Sequence, residues 1–289
     1  MRESTGGVTL PVLWRSEKRK EYSMEKLIQL GSDMSLLWSN YSSAYLGGIR
    51  STLILALVAT VIGCVIGLIC GILNTIPYNA YTPKPRKFLL KLIRLIIRVY
   101  VEVFRGTPMV LQAVFIYYGL PYFSGNTMRF NSLWVAAILI VSINTGAYMA
   151  ETVRGGILSI DEGQTEGAKA IGMTHVQTMV NVILPQALRN IMPQIGNNLI
   201  INIKDTCVLS IIGTVELFYT TKGVAGALYT YFESFTIAMV IYFVMTFTCS
   251  RLLRLLERKM DGPDNYDLAT TDTLAYTSGM YSYKERKVK

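Results

Sequence analysis

Three features of the sequence predict an all-α fold, a polytopic bundle of about five transmembrane helices. Apolar residues make up 51% of the chain and charged ones only 16%, below the roughly 25% charge of an ordinary soluble domain. The apolar residues are gathered into long runs, and residues 51–73 carry no charge at all; as a helix that run is long enough to cross the roughly 30 Å hydrocarbon core. Basic residues flank the runs, Lys84, Arg86, Lys87 and Lys91 before one and Arg251, Arg254, Arg258 and Lys259 after another, as in loops kept on the cytoplasmic side. The net charge of +9 therefore reads as membrane topology. Nucleic-acid binding is excluded, because no basic stripe is interleaved with stacking aromatics.

The elements follow in order. Residues 1–40 form a polar N-terminal segment of mixed charge, with a short helix over 23–30. No compact apolar run followed by a small-residue cleavage site occurs in the first 50 residues, so no removable signal is expected and the first span serves as its own insertion signal. The membrane domain, 41–260, opens with that span near 51–73, where Gly63, Gly67 and Gly71 repeat every fourth residue and line one helix face for close packing; a hinge is the alternative. A turn with Pro77, Pro83 and Pro85 leads to a helix whose charged first half carries Lys91, Arg94, Arg98, Glu102 and Arg105. This half rises from the cytoplasm into the second span, near 100–123, and Pro108 should kink it or end the charged half.

A polar loop with Asn126, Arg129 and Asn131 precedes the third span, near 133–153. Residues 155–198 are too polar to cross and are the longest internal connection. The fourth span, near 199–217, is interrupted by Lys204 and Asp205, and the fifth lies near 234–252. From 261 to 289 the chain is a polar tail with Gly262 and Pro263 at its start, read as flexible, cytoplasmic and dispensable. Loop charges put the long connection and the C-terminus in the cytoplasm; Arg15, Lys18, Arg19 and Lys20 then lie outside, against the rule but far from the first span.

Several chemistries are excluded. Cys64, Cys70, Cys207 and Cys249 stand in apolar surroundings without a CxxC pair, which makes them packing residues. A single histidine, His175, rules out a histidine-based metal site, and no convergent nucleophile or acid–base set suggests an enzyme. There is no GxxxxGK followed by Ser or Thr, so the chain cannot cradle ATP phosphates in a P-loop.

The long connection contains EGAKAIGMTHVQTMVNVILPQALRNIMP, residues 166–193. Ser159 with Glu162 predicts a capping box that starts a short helix, with Gly163, Gly167 and Ala170 on one face. Val176, Val180 and Ile183 recur at i, i+4 and i+7, giving a second amphipathic helix that Pro185 ends or bends. The connection is thus a helical hairpin with one small-residue face and one apolar face.

This hairpin resembles the EAA loop of ABC importer permeases, with Glu166, Ala168, Gly172, Leu184 and Pro185 at the matching positions; Gly167 stands where that family usually has Ala, and Val182 where it has Ile. Residues 103–112 (VFRGTPMVLQ), 143–157 (INTGAYMAETVRGGI) and 185–213 extend the resemblance to the polar amino acid uptake family, over roughly 45–255. It implies a MetI-like permease fold in a bacterial cell membrane. The hairpin, Glu166, Gly167, Ala168, Gly172, Leu184 and Pro185 above all, would be the coupling element that docks on a cytoplasmic ABC ATPase dimer. ATP and Mg would be bound by that partner, and this chain would carry no cofactor. The other implied partners are an extracytoplasmic amino acid-binding protein and a second permease, either another copy or a paralogue.

Charged and amide side chains inside spans are costly and usually face a cavity or a partner. Asn144, Glu151, Arg154, Lys204 and Asp205 are therefore candidates for a substrate pathway, an acid and a base suiting the ammonium and carboxylate of an amino acid. Lys204 and Asp205, adjacent in the chain, also read as structural, pairing with other residues near the cytoplasmic end. Arg105, Thr107 and Pro108 read as fixing the second helix. The competing class is an ion-driven secondary amino acid carrier, which usually shows inverted repeats of spans; none is evident here.

Overall fold

The computed structural model describes residues 12–261. Among the described residues nine α-helices follow in order: α1 Val12–Thr75, α2 Lys84–Gly106, α3 Met109–Phe123, α4 Leu133–Leu158, α5 Glu162–Ala170, α6 His175–Thr178, α7 Leu184–Asp205, α8 Leu217–Leu228 and α9 Tyr231–Asp261. A π turn, Met179–Ile183, joins α6 to α7, and a 3-10 segment, Thr206–Ile212, follows α7. Within the described residues α1, α4 and α9 are long and apolar enough to cross a membrane, and the run His175–Ile212 with α8 is a bent pair that passes the same test, its halves 54° apart. The tail predicted over 261–289 falls outside the described residues except for its first position.

The first helix is longer than predicted. The expected short helix over 23–30 is one stretch of α1, which runs from Val12 through the first span to Thr75. No proline interrupts the chain between Pro11 and Pro77, and an internal glycine costs only about 1 kcal/mol against alanine, so Gly31, Gly47 and Gly48 are tolerated. Packing compensates: Leu37 and Tyr45 are buried with Leu217, Val224 and Ile237 of the α8 and α9 region.

The most extensive helix contact is α1 on α4, and the glycine repeat creates it. A Cβ on Gly63 would lie 2.6 Å from Thr145 Cβ, one on Gly67 2.2 Å from Met149 Cβ, and one on Gly71 2.5 Å from Val153 Cγ1. Thr145, Met149 and Val153 themselves recur every fourth residue, so two ridges of matching period mesh with the backbones almost touching. The repeat is a packing face. On the opposite side Leu57, Val61, Val65 and Ile69 of α1 are exposed, as are Met239, Val240, Phe243 and Val244 of α9. Such apolar outer ridges suit acyl chains and would be a liability in water.

The second predicted span is two helices. Thr107 is extended (φ −121°, ψ 146°) ahead of Pro108 (ψ 136°), since the proline ring drives the preceding residue out of the helical region. Pro108 thus ends the charged half, and α3 starts afresh. Midway along α2, the Arg94 guanidinium donates to the Ile76 carbonyl at 2.6 Å and lies 4.6 Å from the Tyr78 ring centre, which ties α2 to the turn after α1.

If the α1–α4 approach sets the helix spacing, Gly67→Ala should lower stability by about 1–3 kcal/mol through overpacking. Gly31→Ala, with nothing within 4 Å of the new methyl, should leave it level or slightly raised. Thermal unfolding of the two detergent-purified variants beside the parent checks both.

Candidate functional site

Where α2 breaks, a cavity of about 470 Å3 opens between two walls. One wall is the α2–α3 break and α4, with Arg105, Thr107, Asn144 and Tyr148; the other is α7, with Asn198, Asn202 and Asp205. The three α7 residues stand at i, i+4 and i+7, one helix face. Arg105 forms an ion pair with Glu151 and lies 5.3 Å from the centre of the Tyr148 ring. Both members of that pair are substantially exposed, 39% and 51%, so it contributes little to stability; it joins Arg105 of this cavity to Glu151, which lines a smaller separate cleft.

The wall is held by buried amides. Gln112, on α3, donates to the Phe104 and Thr107 carbonyls and to Thr107 Oγ1, each at 2.9 Å, which satisfies the open C-terminal end of α2. Its own Oε1 accepts from Asn144 Nδ2 at 2.9 Å, and Asn144 also donates to the Phe104 carbonyl at 3.3 Å. Asn144 thus lines the cavity while its amide N–H groups are engaged in holding the break. Deeper in, Asn202 Nδ2 donates to Thr60 Oγ1 at 2.7 Å and to Thr145 Oγ1 at 3.0 Å, so one amide joins α7 to both α1 and α4.

The predicted pathway residues therefore separate. Glu151 and Asn144 come together with Arg105, which the sequence reading had assigned to fixing the helix. Arg154 lies beside Glu151, Arg98 and Asn74 in a smaller polar cleft of about 230 Å3. Asp205 reaches the main cavity from the other wall. Lys204 is exposed at the last turn of α7, where a cation complements the helix dipole. The expected pairing of Lys204 and Asp205 with other residues near the cytoplasmic end is corrected: neither forms an ion pair among the described residues, and the acid and base that pair beside the cavity are Glu151 and Arg105. Both residues close α7, roughly 30 Å from its start at Leu184 at 1.5 Å per residue, at the end away from the hairpin.

The hairpin also takes shape differently in detail. Asp161, not Ser159, caps α5, its carboxylate accepting from the Gly163 N–H at 2.7 Å. Ser159 instead closes α4, donating to the Gly156 carbonyl at 2.9 Å. A capping box does occur, at Thr174 and Gln177, starting α6. Between them Gly172 is left-handed (φ +83°); its N–H bonds to the Lys169 carbonyl at 2.9 Å and that of Met173 to the Ala168 carbonyl at 3.1 Å. This paired closure is a Schellman turn with glycine at the position where a Cβ is penalised. Pro185 does not end the second helix. The π turn before it absorbs the missing N–H, with the Leu184 N–H bonding back to the Met179 carbonyl, and the helix continues into α7.

Residues 184–198, predicted as loop, are therefore the start of a bundle helix, with Ala187 and Ile191 packed on Val153 and Ile157 of α4. The outer surface of the hairpin is open. Gly163, Gly167 and Ala170 are exposed, and Ile171, Val176 and Val180 are 79%, 68% and 55% exposed, whereas Ile183 and Ala168 turn inward. Glu166 is exposed beside them. Among the described residues no group of His, Cys, Asp or Glu could hold a metal ion.

Two features were missed in the sequence. The amides Asn198 and Asn202 could have been found from their spacing with Asp205. Glu216 was passed over, although a lone acid directly before an apolar helical run is a capping signal. It is fully buried and accepts from the N–H groups of Phe218 and Tyr219 at 2.8 and 2.6 Å.

A lipid-facing helical bundle with a polar cavity between broken helices and an open hairpin at one end is the architecture of a membrane permease. Residues 87–262 match the binding-protein-dependent transport system inner membrane component family, and the chain belongs to that family, the permease subunits of ABC importers. The glutamine transport system permease protein GlnP of Escherichia coli (strain K12) is 41% identical over 166 residues, 56% of this chain and 73% of that protein. The arginine transport system permease protein ArtQ of Bacillus subtilis (strain 168) is 38% identical over 165 residues, 57% and 74% of the two chains. Among solved structures, a crystal structure of an amino acid ABC transporter with histidines superposes with a TM-score of 0.67 at 37% identity, covering 78% of this chain and 97% of that one. The inward-facing MetNI methionine ABC transporter, at 20% identity and a TM-score of 0.61, covers 76% and 97% and shares the fold.

The clamp at the α2 break is directly testable. Gln112→Ala leaves the Phe104 and Thr107 carbonyls and the Asn144 amide short of a partner, and should cost about 1–3 kcal/mol. Chemical unfolding of the purified variant in detergent, against the parent, measures it.

Proposed function

We propose that this chain carries a polar amino acid across the bacterial cell membrane through the cavity between α4 and α7, driven by ATP hydrolysed in separate cytoplasmic subunits. The observation that carries the coupling part is the hairpin. Its exposed surface of Gly167, Ala170, Ile171, Val176 and Val180 has the small and apolar character that a partner groove can close over, and the Schellman turn at Gly172 gives it a defined shape. Behind it α6, the π turn and α7 form one run to Ile212, so displacement of the hairpin reaches the cavity wall without an intervening loop. Glu166, Gly167, Ala168, Gly172, Leu184 and Pro185 are the coupling residues in this reading; Ala168, Leu184 and Pro185 shape the hairpin and Glu166 borders its open face.

The cavity chemistry suits the substrate class. Arg105 can meet a carboxylate, and Glu151 and Asp205 an ammonium or cationic side chain. The named relatives transport glutamine and arginine, both polar amino acids. Substrate is delivered by an extracytoplasmic binding protein, a second permease completes the pathway, and the C-terminus lies on the ATPase side. ATP and its magnesium belong to the ATPase.

Two outcomes are expected. Gly172→Leu forces a side chain into the left-handed region at a cost of roughly 1–2 kcal/mol; the chain should still reach the membrane but recover little ATPase on affinity purification and show almost no uptake, and normal uptake would remove the coupling role. Glu151→Gln frees Arg105 and should raise the apparent KM for a cationic amino acid about tenfold, the effect of losing one charge-assisted contact, with kcat less changed; equal kinetics for every amino acid tried would remove the contact. Mass spectrometry of what co-purifies with the tagged native chain tests the partners: a Walker-motif ATPase and a solute-binding protein are expected, and the chain alone would contradict the reading.

A further inference from the structure

The one acid fully buried among the described residues, Glu216, plays no part in the cavity or the hairpin. It sits between Gly213, left-handed at φ +87°, and α8, at the 54° bend that ends the run from His175. Besides the two α8 backbone N–H groups, its Oε2 accepts from the Tyr242 hydroxyl of α9 at 2.9 Å and from the Thr52 hydroxyl of α1 at 3.5 Å. Thr52 Oγ1 in turn accepts from the Leu217 N–H at 3.2 Å. One carboxylate therefore fastens the start of α8 to both neighbouring helices. Packing allows no slack there: a Cβ on Gly48 of α1 would lie 2.8 Å from Leu217 Cα.

The two sides of the bend are treated differently. After it, α8 is fastened at its first turn to α1 and α9 by the Glu216 carboxylate; before it, α7 packs on α1, α4 and α9 with Asn202 as its polar link. At Gly213 itself nothing lies within 4 Å of a notional Cβ, so space there is open and glycine is needed only for its backbone conformation. On the near side the helix carries the cavity residues Asn198, Asn202 and Asp205 and leads back to the hairpin.

We infer that Glu216 is a positioning residue for transport: it anchors α8 as a fixed support so that the rod from the hairpin pivots at Gly213 and moves the α7 wall of the cavity. Without the anchor, α8 follows the rod and hairpin motion is lost from the cavity. This rests on the permease reading, and the experiment separates the two.

Glu216→Gln keeps the shape but replaces one acceptor oxygen with a donor, and Tyr242→Phe removes a single donor with little change in volume. Hydrogen exchange of the purified chain, which needs no transport, should show faster exchange over 217–228 in Glu216→Gln, by about tenfold for one lost buried bond, with 184–205 unchanged. Uniform exchange across both segments, or none in either, overturns the anchor. In the reconstituted transporter with its ATPase and binding protein, both variants should assemble and hydrolyse ATP at the parent rate. Amino acid taken up per ATP should fall about tenfold in Glu216→Gln and about threefold in Tyr242→Phe, in proportion to the bonds removed. A parallel loss of hydrolysis and uptake, or an unchanged ratio in Tyr242→Phe, would show a merely structural acid; if Glu216→Gln does not assemble, the Tyr242→Phe ratio decides. A parent complex that fails to couple ATP to uptake would instead defeat the permease reading, leaving the exchange result standing.

Discussion

The approach of α1 to α4 along Gly63, Gly67 and Gly71 constrains every other helix, because it places two backbones closer than any pair of ordinary side chains would permit. In an apolar solvent there is no hydrophobic force between helices, and close van der Waals fit with buried polar links must hold them. Both are present on this seam. Glycine facing Thr145, Met149 and Val153 supplies the fit, and Asn202, bonded to Thr60 and Thr145 across α1 and α4, supplies the link. The seam therefore sets the frame against which α7, the break in α2 and the bend before α8 are placed.

From that frame the functional geometry follows. The broken second helix exposes backbone carbonyls that Gln112 and Asn144 must satisfy, and the room left beside the break becomes the cavity. Its opposite wall is a helix that continues to the hairpin. Irregular backbone at membrane depth is tolerated only where it is buried in protein or lines a cavity, and the interruption at Thr107 lines the cavity. The polar groups of this permease are thus of two kinds, those that repair interrupted helices and those, such as Arg105, Glu151 and Asp205, that are left facing open space.

Much of this was legible in the residues. Uncharged runs of span length announced the bundle, the four-residue glycine period announced the packing face, and Pro108 announced the break. Gly172 was legible because few residues besides glycine close a helix in that conformation. What escaped depends on partners distant in sequence or on local adjustment. The outer length of α1 was hidden by its polar composition and glycines, and is sustained by α8 and α9 some 180 residues further on. Pro185 looked like a stop because a π turn is not written in periodicity. Glu216 was invisible as an anchor because Thr52 lies 164 residues away. Asn144 looked free until Gln112 was placed beside it.

The central claim is that this chain moves a polar amino acid only when ATP is hydrolysed outside it. Reconstitution of the purified complex into liposomes, with uptake of labelled glutamine and arginine followed with ATP supplied, without ATP, and under an imposed proton or sodium gradient, tests it directly. Accumulation that requires ATP and the binding protein and ignores the gradients is the predicted result. Uptake driven by a gradient in the absence of ATP would contradict the account and make the chain a secondary carrier.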